Sequence, residues 1–256
     1  MNTTETIARI QALRGVRPIA MLTAYDYPTA RLLDETGVDI ILVGDSLGMV
    51  VMGYPDTTHV TLSHMIHHGE MVARAVKTAL VVVDMPIHTY DTPDQAVKSA
   101  RTLAATGAGA VKLEGGVEKA PHIAAIRAAG IPVMGHIGLL PQKVLEEGGY
   151  KMKGRSEEEA AALMEDISAI AAAGAFAAVV ECTKGATARR ITARSPIPTI
   201  GIGAGHGTSD GEVVVIHDLV GAFPWFTPPF VKPQAQVSEE IAHAVRTWKA
   251  HLTLPS

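Results

Sequence analysis

Eight short runs rich in β-branched residues recur along the chain, and most are separated by longer, Ala-rich amphipathic stretches. That alternation constrains the fold more than any other feature. It predicts strands at 19–23, 39–43, 80–84, 110–114, 132–136, 177–181, 199–203 and 213–217. It predicts helices at 28–36, 62–78, 93–106, 117–129, 157–173 and 186–193, and a last helix, 238–252, after a Pro-rich connector at 224–233. Ser156 and Glu159 have the spacing of a capping box. Gly37, Gly107, Gly130 and Gly174 each stand where a helix would end and turn toward a strand.

Strands joined by crossovers of this length pair in parallel. Runs such as Leu80-Val81-Val82-Val83 are apolar on both faces, as strands covered on both sides must be. Eight such units in 256 residues define an α/β chain and fit one (β/α)8 barrel spanning 1–256. An open doubly wound sheet is the structural alternative. The 44–61 segment is long for a strand-to-helix loop, and such loops are often functional.

In a barrel, chemistry sits where strands end. Five consecutive strands carry an ionisable group there: Asp45 after Gly44, Asp84 before Met85-Pro86, Lys112 and Glu114, His136, and Glu181. The strand period of two turns Lys112 and Glu114 to one side and Val111 and Leu113 to the other. If the apolar pair packs on helices, the charged pair faces the barrel mouth. Asp45, Asp84 and Glu114 would then be neighbours. Their mutual repulsion calls for a cation, and a hard divalent ion such as Mg²⁺ suits oxygen donors better than zinc does. Glu181 follows the apolar run Ala177-Ala178-Val179-Val180, where desolvation would raise its pKa toward that of a general base.

Each residue also has a structural reading. Asp45 could close an Asx turn, Asp84 could end a strand, and Lys112–Glu114 could be an edge ion pair. Glu181 could pair with Lys184 or Arg189. Cys182, one position out of phase, reads as packing rather than as a nucleophile. His64, His67 and His68 share one helix face, which fits an interface better than a zinc or proton-relay site. Gly201-Ile202-Gly203-Ala204-Gly205 reads as a tight turn more readily than as a phosphate cradle, since no complete GxGxxG or Walker pattern is present.

The strings Thr23-Ala24-Tyr25-Asp26, Gly44-Asp45-Ser46-Leu47-Gly48-Met49, Asp84-Met85-Pro86, Lys112-Leu113-Glu114-Gly115-Gly116, Gly135-His136-Ile137-Gly138-Leu139, Glu181-Cys182, and Gly201-Ile202-Gly203-Ala204-Gly205 before Asp210-Gly211 stand in one order along the chain. In that order the sequence resembles the ketopantoate hydroxymethyltransferase family over essentially its whole length. The resemblance implies a TIM barrel of the phosphoenolpyruvate mutase/isocitrate lyase type. It implies transfer of a hydroxymethyl group from 5,10-methylenetetrahydrofolate to 3-methyl-2-oxobutanoate, giving 2-dehydropantoate on the route to pantothenate. It also implies one Mg²⁺ per subunit held by Asp45, Asp84 and Glu114, keto-acid contacts from Asp45, Ser46, Asp84 and Lys112, and Glu181 as proton acceptor. His136 matches a polar position beside the site. Family members are typically homodecamers. Where the family usually continues Val-Pro after Glu181-Cys182, this chain has Thr183-Lys184.

Composition narrows the rest. A formal net charge of −4 and 4% aromatic residues leave neither a basic footprint nor a stacking platform for nucleic acid. One cysteine excludes an intrachain disulfide. Met1-Asn2-Thr3-Thr4-Glu5 begins no secretory signal, and the expectation is a cytoplasmic chain without a membrane span. Trp225, Phe226 and Phe230 in the connector suggest a subunit contact. Two rivals stay open: another keto-acid lyase or mutase using the same cation cradle, and a barrel that binds without catalysis.

Overall fold

The computed structural model describes residues 3–252. Its strands are β1 (Ile19–Thr23), β2 (Ile40–Val43), β3 (Leu80–Asp84), β4 (Ala110–Glu114), β5 (Val133–Gly138), β6 (Ala177–Glu181), β7 (Thr199–Ile202) and β8 (Gly211–Val214). They form a closed barrel in sequence order, every pair parallel. The helices are α1 (Thr3–Ala12), α2 (Tyr27–Thr36), α3 (Leu47–Val50), α4 (Leu62–Ala75), α5 (Pro93–Ala104), α6 (Ala120–Ala128), α7 (Glu157–Ala172), α8 (Gly185–Arg194), α9 (Ile216–Leu219) and α10 (Val237–Ala250). The chain divides into two compact units, Met1–Val213 and Val214–Ser256. In the second unit α10 buries none of its residues, and Ile241, Val245 and Trp248 are exposed along it.

Strand parity builds both the core and the site. Ile19 and Met21, Ile40 and Leu42, Leu80 and Val82, Ala110, Met134, Ala177 and Val179, Ile200 and Val213 form one buried cluster. Two residues further along the same face come Asp84 in β3, Lys112 and Glu114 in β4, His136 in β5 and Glu181 in β6. Side chains of one parity share one side of a strand. The interior therefore passes from hydrocarbon to ionisable groups as the strands approach their C-terminal ends. Val111 and Leu113, of opposite parity, are buried as well, as the amphipathic reading of β4 requires.

Helix α1 was not visible in the strand–helix alternation. Ile10 joins the interior cluster. Arg9 donates to the Thr78 carbonyl before β3 and Gln11 to that of Phe176 before β6, while Arg14, just past the helix, donates to those of Thr192 and Ser195 at the end of α8. The helix thus covers the end opposite the ionisable groups.

Other boundaries move for local reasons. Helix α4 stops at Ala75 rather than reaching 78, because the Asp34 carboxylate takes the N–H groups of Lys77, Thr78 and Ala79 into a turn. The 117–129 segment splits into a 3-10 turn, Val117–Lys119, and α6, with Pro121 in its first turn. Ser156 caps α7 through the Glu159 N–H, but the Glu159 carboxylate reaches back to the Arg155 N–H, so the reciprocal half of a capping box is absent. The eighth strand is Gly211–Val214, not 213–217, since Asp218 and Leu219 already donate to the Val215 carbonyl and begin α9.

The shift of β8 explains Asp210-Gly211. The Ile19 N–H donates to the Asp210 carbonyl at 3.0 Å and closes the barrel. A Cβ on Gly211 would lie 2.3 Å from the Ile19 carbonyl oxygen, so the seam admits only glycine. Gly211→Ala should therefore destabilise the fold by about 1–3 kcal/mol, the usual range for overpacking. A lowered urea midpoint would show it, and an unchanged midpoint would mean that the seam yields freely.

Candidate active site

Asp45, Asp84, Lys112, Glu114 and His136 are all buried, and Glu181 is nearly so. The structure brings every one of them to the same end of the barrel. Asp84 Oδ2 accepts the Asp45 N–H at 3.0 Å, which ties the loop after β2 to the end of β3. Asp84 Oδ1 stands 2.8 Å from Lys112 Nζ as an ion pair, without the geometry of a hydrogen bond. Asp45 Oδ2 and Glu114 Oε2 both accept from Gln142, the first from its side-chain amide at 2.8 Å and the second from its backbone at 3.1 Å. His136 lies between the two sides of the site. Its Nδ1 is 3.3 Å from Lys112 Nζ and 3.5 Å from Glu114 Oε1, and its Nε2 is 3.1 Å from Glu181 Oε2.

The electrostatics follow from burial. Desolvation, then repulsion from Asp84, pushes Asp45 up to about 7 against the pull of Lys112. Desolvation and Asp45 hold Glu114 well above its usual value. Desolvation alone lifts Glu181 to about 7, with Lys112 opposing. Burial works against the Lys112 ammonium, but Asp84, Glu114 and Asp45 together hold its pKa above the ordinary lysine value. Burial and Lys112 hold His136 well below its usual pKa, so the ring is neutral. An ammonium can only donate, so the His136 Nδ1 facing it accepts, and the ring proton sits on Nε2 toward Glu181. That approach falls short of hydrogen-bond angles.

Ser46 is half-buried, and its Oγ shares a hydrogen bond of 2.8 Å with the Tyr25 hydroxyl. The 44–61 loop carries α3 and a 3-10 turn, Thr57–His59, capped by the Asp56 carboxylate. Gly138 ends β5 at φ +95°, where a Cβ would fall 2.3 Å from the Glu181 carbonyl oxygen. That close approach lets β5 run beside Glu181 before the chain turns to Gln142. Thr183, at the departure from the family pattern, is buried, with its hydroxyl on the Glu181 carbonyl and a bridge to Lys153.

Sequence reasoning did not assign a role to Gln142 or Tyr90. The Tyr90 hydroxyl donates to Gln142 Oε1 at 2.5 Å, and both residues are buried. No periodic signal marks them, since both lie on loops beyond strand ends. The residues set aside earlier find structural work. His64 completes a capping box with Thr61, and His68 Nδ1 meets the Tyr25 carbonyl at 2.6 Å. Burial, then Glu181, pushes the Cys182 thiol up to about 12, which keeps it protonated. The Thr208 hydroxyl bonds the Ala204 and Gly205 carbonyls, closing the glycine-rich segment as a turn.

Among the described residues, no group of three or more His, Cys, Asp and Glu side chains is already arranged around a common metal position. The donor chemistry nonetheless fits a hard cation. The donors are carboxylate oxygens whose charges repel one another, and the one ammonium among them, Lys112, engages only Asp84 Oδ1 as an ion pair, at 2.8 Å. Mg²⁺ keeps several waters and needs only one or two carboxylates directly.

The closed parallel barrel is similar in fold to solved structures of the phosphoenolpyruvate mutase/isocitrate lyase superfamily. Phosphonopyruvate hydrolase, solved with oxalate and Mg²⁺, superposes with a TM-score of 0.70 at 15% identity, covering 100% of this chain and 92% of the other. The 2,3-dimethylmalate lyase of that superfamily gives 0.62 at 18% identity, covering 98% and 87%. The profile of the ketopantoate hydroxymethyltransferase family matches residues 3–254. The 3-methyl-2-oxobutanoate hydroxymethyltransferase of Oleidesulfovibrio alaskensis is 52% identical over 245 residues, 95% of this chain and 84% of that protein. The chain belongs to the ketopantoate hydroxymethyltransferase family and is an enzyme.

Glu181 gives a direct test of this electrostatic picture. A carboxyl near 7 when folded and near 4.5 when unfolded favours the folded state only while both forms are protonated. As pH rises from 4.5 toward 7 the unfolded form ionises first and stability falls, levelling off above 7. Metal-free Glu181→Gln should escape that loss. Its stability relative to the wild type should grow across this window by up to about 3 kcal/mol. Parallel stability–pH curves for the two proteins would contradict the raised value.

Proposed function

We propose that this chain transfers a hydroxymethyl group from 5,10-methylenetetrahydrofolate to 3-methyl-2-oxobutanoate, giving 2-dehydropantoate in the first step toward pantothenate. The observation that carries this reading is a division of labour at one rim. Asp45 and Glu114 meet on Gln142 and Asp84 takes the Asp45 N–H, while Glu181 stands apart across His136 with its pKa lifted to about 7. That is an arrangement for gripping an α-oxo acid on one side and taking its C3 proton on the other.

Asp45, Asp84 and Glu114 would hold Mg²⁺ with retained waters. When bound, the ion supplies Lewis-acid polarisation of the 2-oxo group. Lys112, held protonated by its carboxylate neighbours, balances the substrate carboxylate. Asp45, Ser46 and Asp84 line the keto acid. Glu181 takes the C3 proton, and neutral His136 keeps its Nε2 proton turned toward that carboxylate. The enolate carbon then bonds to the one-carbon unit. Water supplies the hydroxyl oxygen, both C–N bonds of the methylene bridge break, and tetrahydrofolate leaves. Its two nitrogens end with the C3 proton and one proton of the water.

The subunits assemble as homo-oligomers in this reading, as decamers by resemblance. Exposed Trp225, Phe226 and Phe230, and the Ile241, Val245 and Trp248 stripe of α10, support a contact between copies. Sedimentation at working concentration should give a species of about ten chains; a stable monomer would contradict it. The enzyme works in the cytoplasm in the same reading, and no helix among the described residues is long and apolar enough to cross a membrane.

Exchange of the C3 proton of 3-methyl-2-oxobutanoate into D₂O, followed by NMR, tests the reaction at its first step. Glu181→Gln should slow exchange by about 10²-fold or more, the scale of general-base catalysis. Wild-type exchange in that variant would reject Glu181 as the base. Omitting the folate should abolish product but not exchange, whereas a lyase would ignore the folate altogether.

A further inference from the structure

Gln142 sits in a 3-10 turn, Pro141–Lys143, on the loop between β5 and α7. Its buried side chain is held from three directions. Nε2 donates to Asp45 Oδ2 at 2.8 Å and to the Met85 carbonyl at 3.0 Å, and Oε1 accepts the Tyr90 hydroxyl at 2.5 Å. Its backbone N–H donates to Glu114 Oε2 at 3.1 Å. The orientation of the amide is not arbitrary. The Met85 carbonyl can only accept, so the end that faces it, and with it Asp45 Oδ2, must be the NH₂. Turned over, the amide would set its oxygen against both and leave buried acceptors unpaired, a penalty of about 1–3 kcal/mol for each.

We propose that Gln142 is the positioning residue of the carboxylate cluster, and that Tyr90 acts through it. Gln142 engages one oxygen of Asp45 and one of Glu114, and so fixes which oxygens remain for a bound cation. Asp84 is held by other partners, its Oδ2 by the Asp45 N–H and its Oδ1 by the Lys112 ammonium at 2.8 Å. One loop residue thereby sets the relation between groups from two different strand ends. Tyr90 donates its single hydroxyl proton to Gln142 rather than to a carboxylate, and its part is to keep the amide from turning over. The inference deepens the proposed cation site and rests on it.

The test is Mn²⁺ binding, measured by calorimetry and by the loss of free-ion paramagnetic resonance signal. The proteins are the wild type, Gln142→Leu, Tyr90→Phe and the double variant, with thermal melting in parallel. The wild type should bind, and Gln142→Leu should bind about 10- to 100-fold more weakly, the scale for losing a residue that orients metal ligands. Tyr90→Phe should weaken binding in the same direction by a smaller factor. The double variant should be no weaker than Gln142→Leu alone, because the two residues act as one unit. A merely structural role would lower the melting temperature and leave Mn²⁺ affinity unchanged, which would overturn the proposal. Additive losses in the double variant would overturn the role given to Tyr90. Should Gln142→Leu fail to fold, Tyr90→Phe carries the test alone, and unchanged affinity in it overturns the proposal. Absence of Mn²⁺ binding by the wild type would overturn the cation site itself and this inference with it.

Discussion

Four carboxylates, Asp45, Asp84, Glu114 and Glu181, share a buried space with one ammonium, that of Lys112. Burying an ion costs several kcal/mol even after the protein relaxes, and attraction offsets this only where charges are matched and hydrogen-bonded. Here they are not matched. The protein answers with protons, since Asp45 and Glu181 rise to about 7 and Glu114 rises well above its ordinary range. It answers also with neutral donors, the Gln142 amide and the Asp45 N–H. A hard cation entering such a cluster would offset the repulsion among its carboxylates.

The barrel is what makes such a cluster tolerable. The parity that packs Leu80 and Val82 into the interior delivers Asp84, and the parity of Ala177 and Val179 delivers Glu181. Each charged group is thus anchored by an apolar run of its own strand. The seam between Asp210 and Ile19 closes the cylinder at the opposite end from the chemistry. Stability and reactivity are separated along the strand axis, as in barrels generally.

Most of this was legible in the sequence, because it depends on local periods. The strand runs, their apolar faces and the ionisable residues at their ends all follow from a period of two. What escaped depended on loops. Gln142 reaches Asp45 only through the turn after Gly138, and Tyr90 reaches Gln142 only once both loops are placed. Neither position carries a periodic signal. Helix α1 escaped because it stands outside the alternation and precedes the first strand. The eighth strand was displaced because Val213-Val214-Val215 suits a strand by composition, while the Asp218 and Leu219 N–H groups draw Val215 into a helix start. The family resemblance named a proton acceptor and a set of ligands; the structure adds that one amide lies between two of them.

The central claim is that Asp45, Asp84 and Glu114 together hold a hard cation that grips an α-oxo acid opposite Glu181. The most direct measurement is the anomalous difference map of a crystal grown with Mn²⁺ and 3-methyl-2-oxobutanoate. The account predicts one strong peak within ligand distance of at least one of these carboxylates, bridged to the others by water, with the keto acid against it and its C3 facing Glu181. A peak elsewhere, or a keto acid bound at this rim with no metal beside it, would contradict the account.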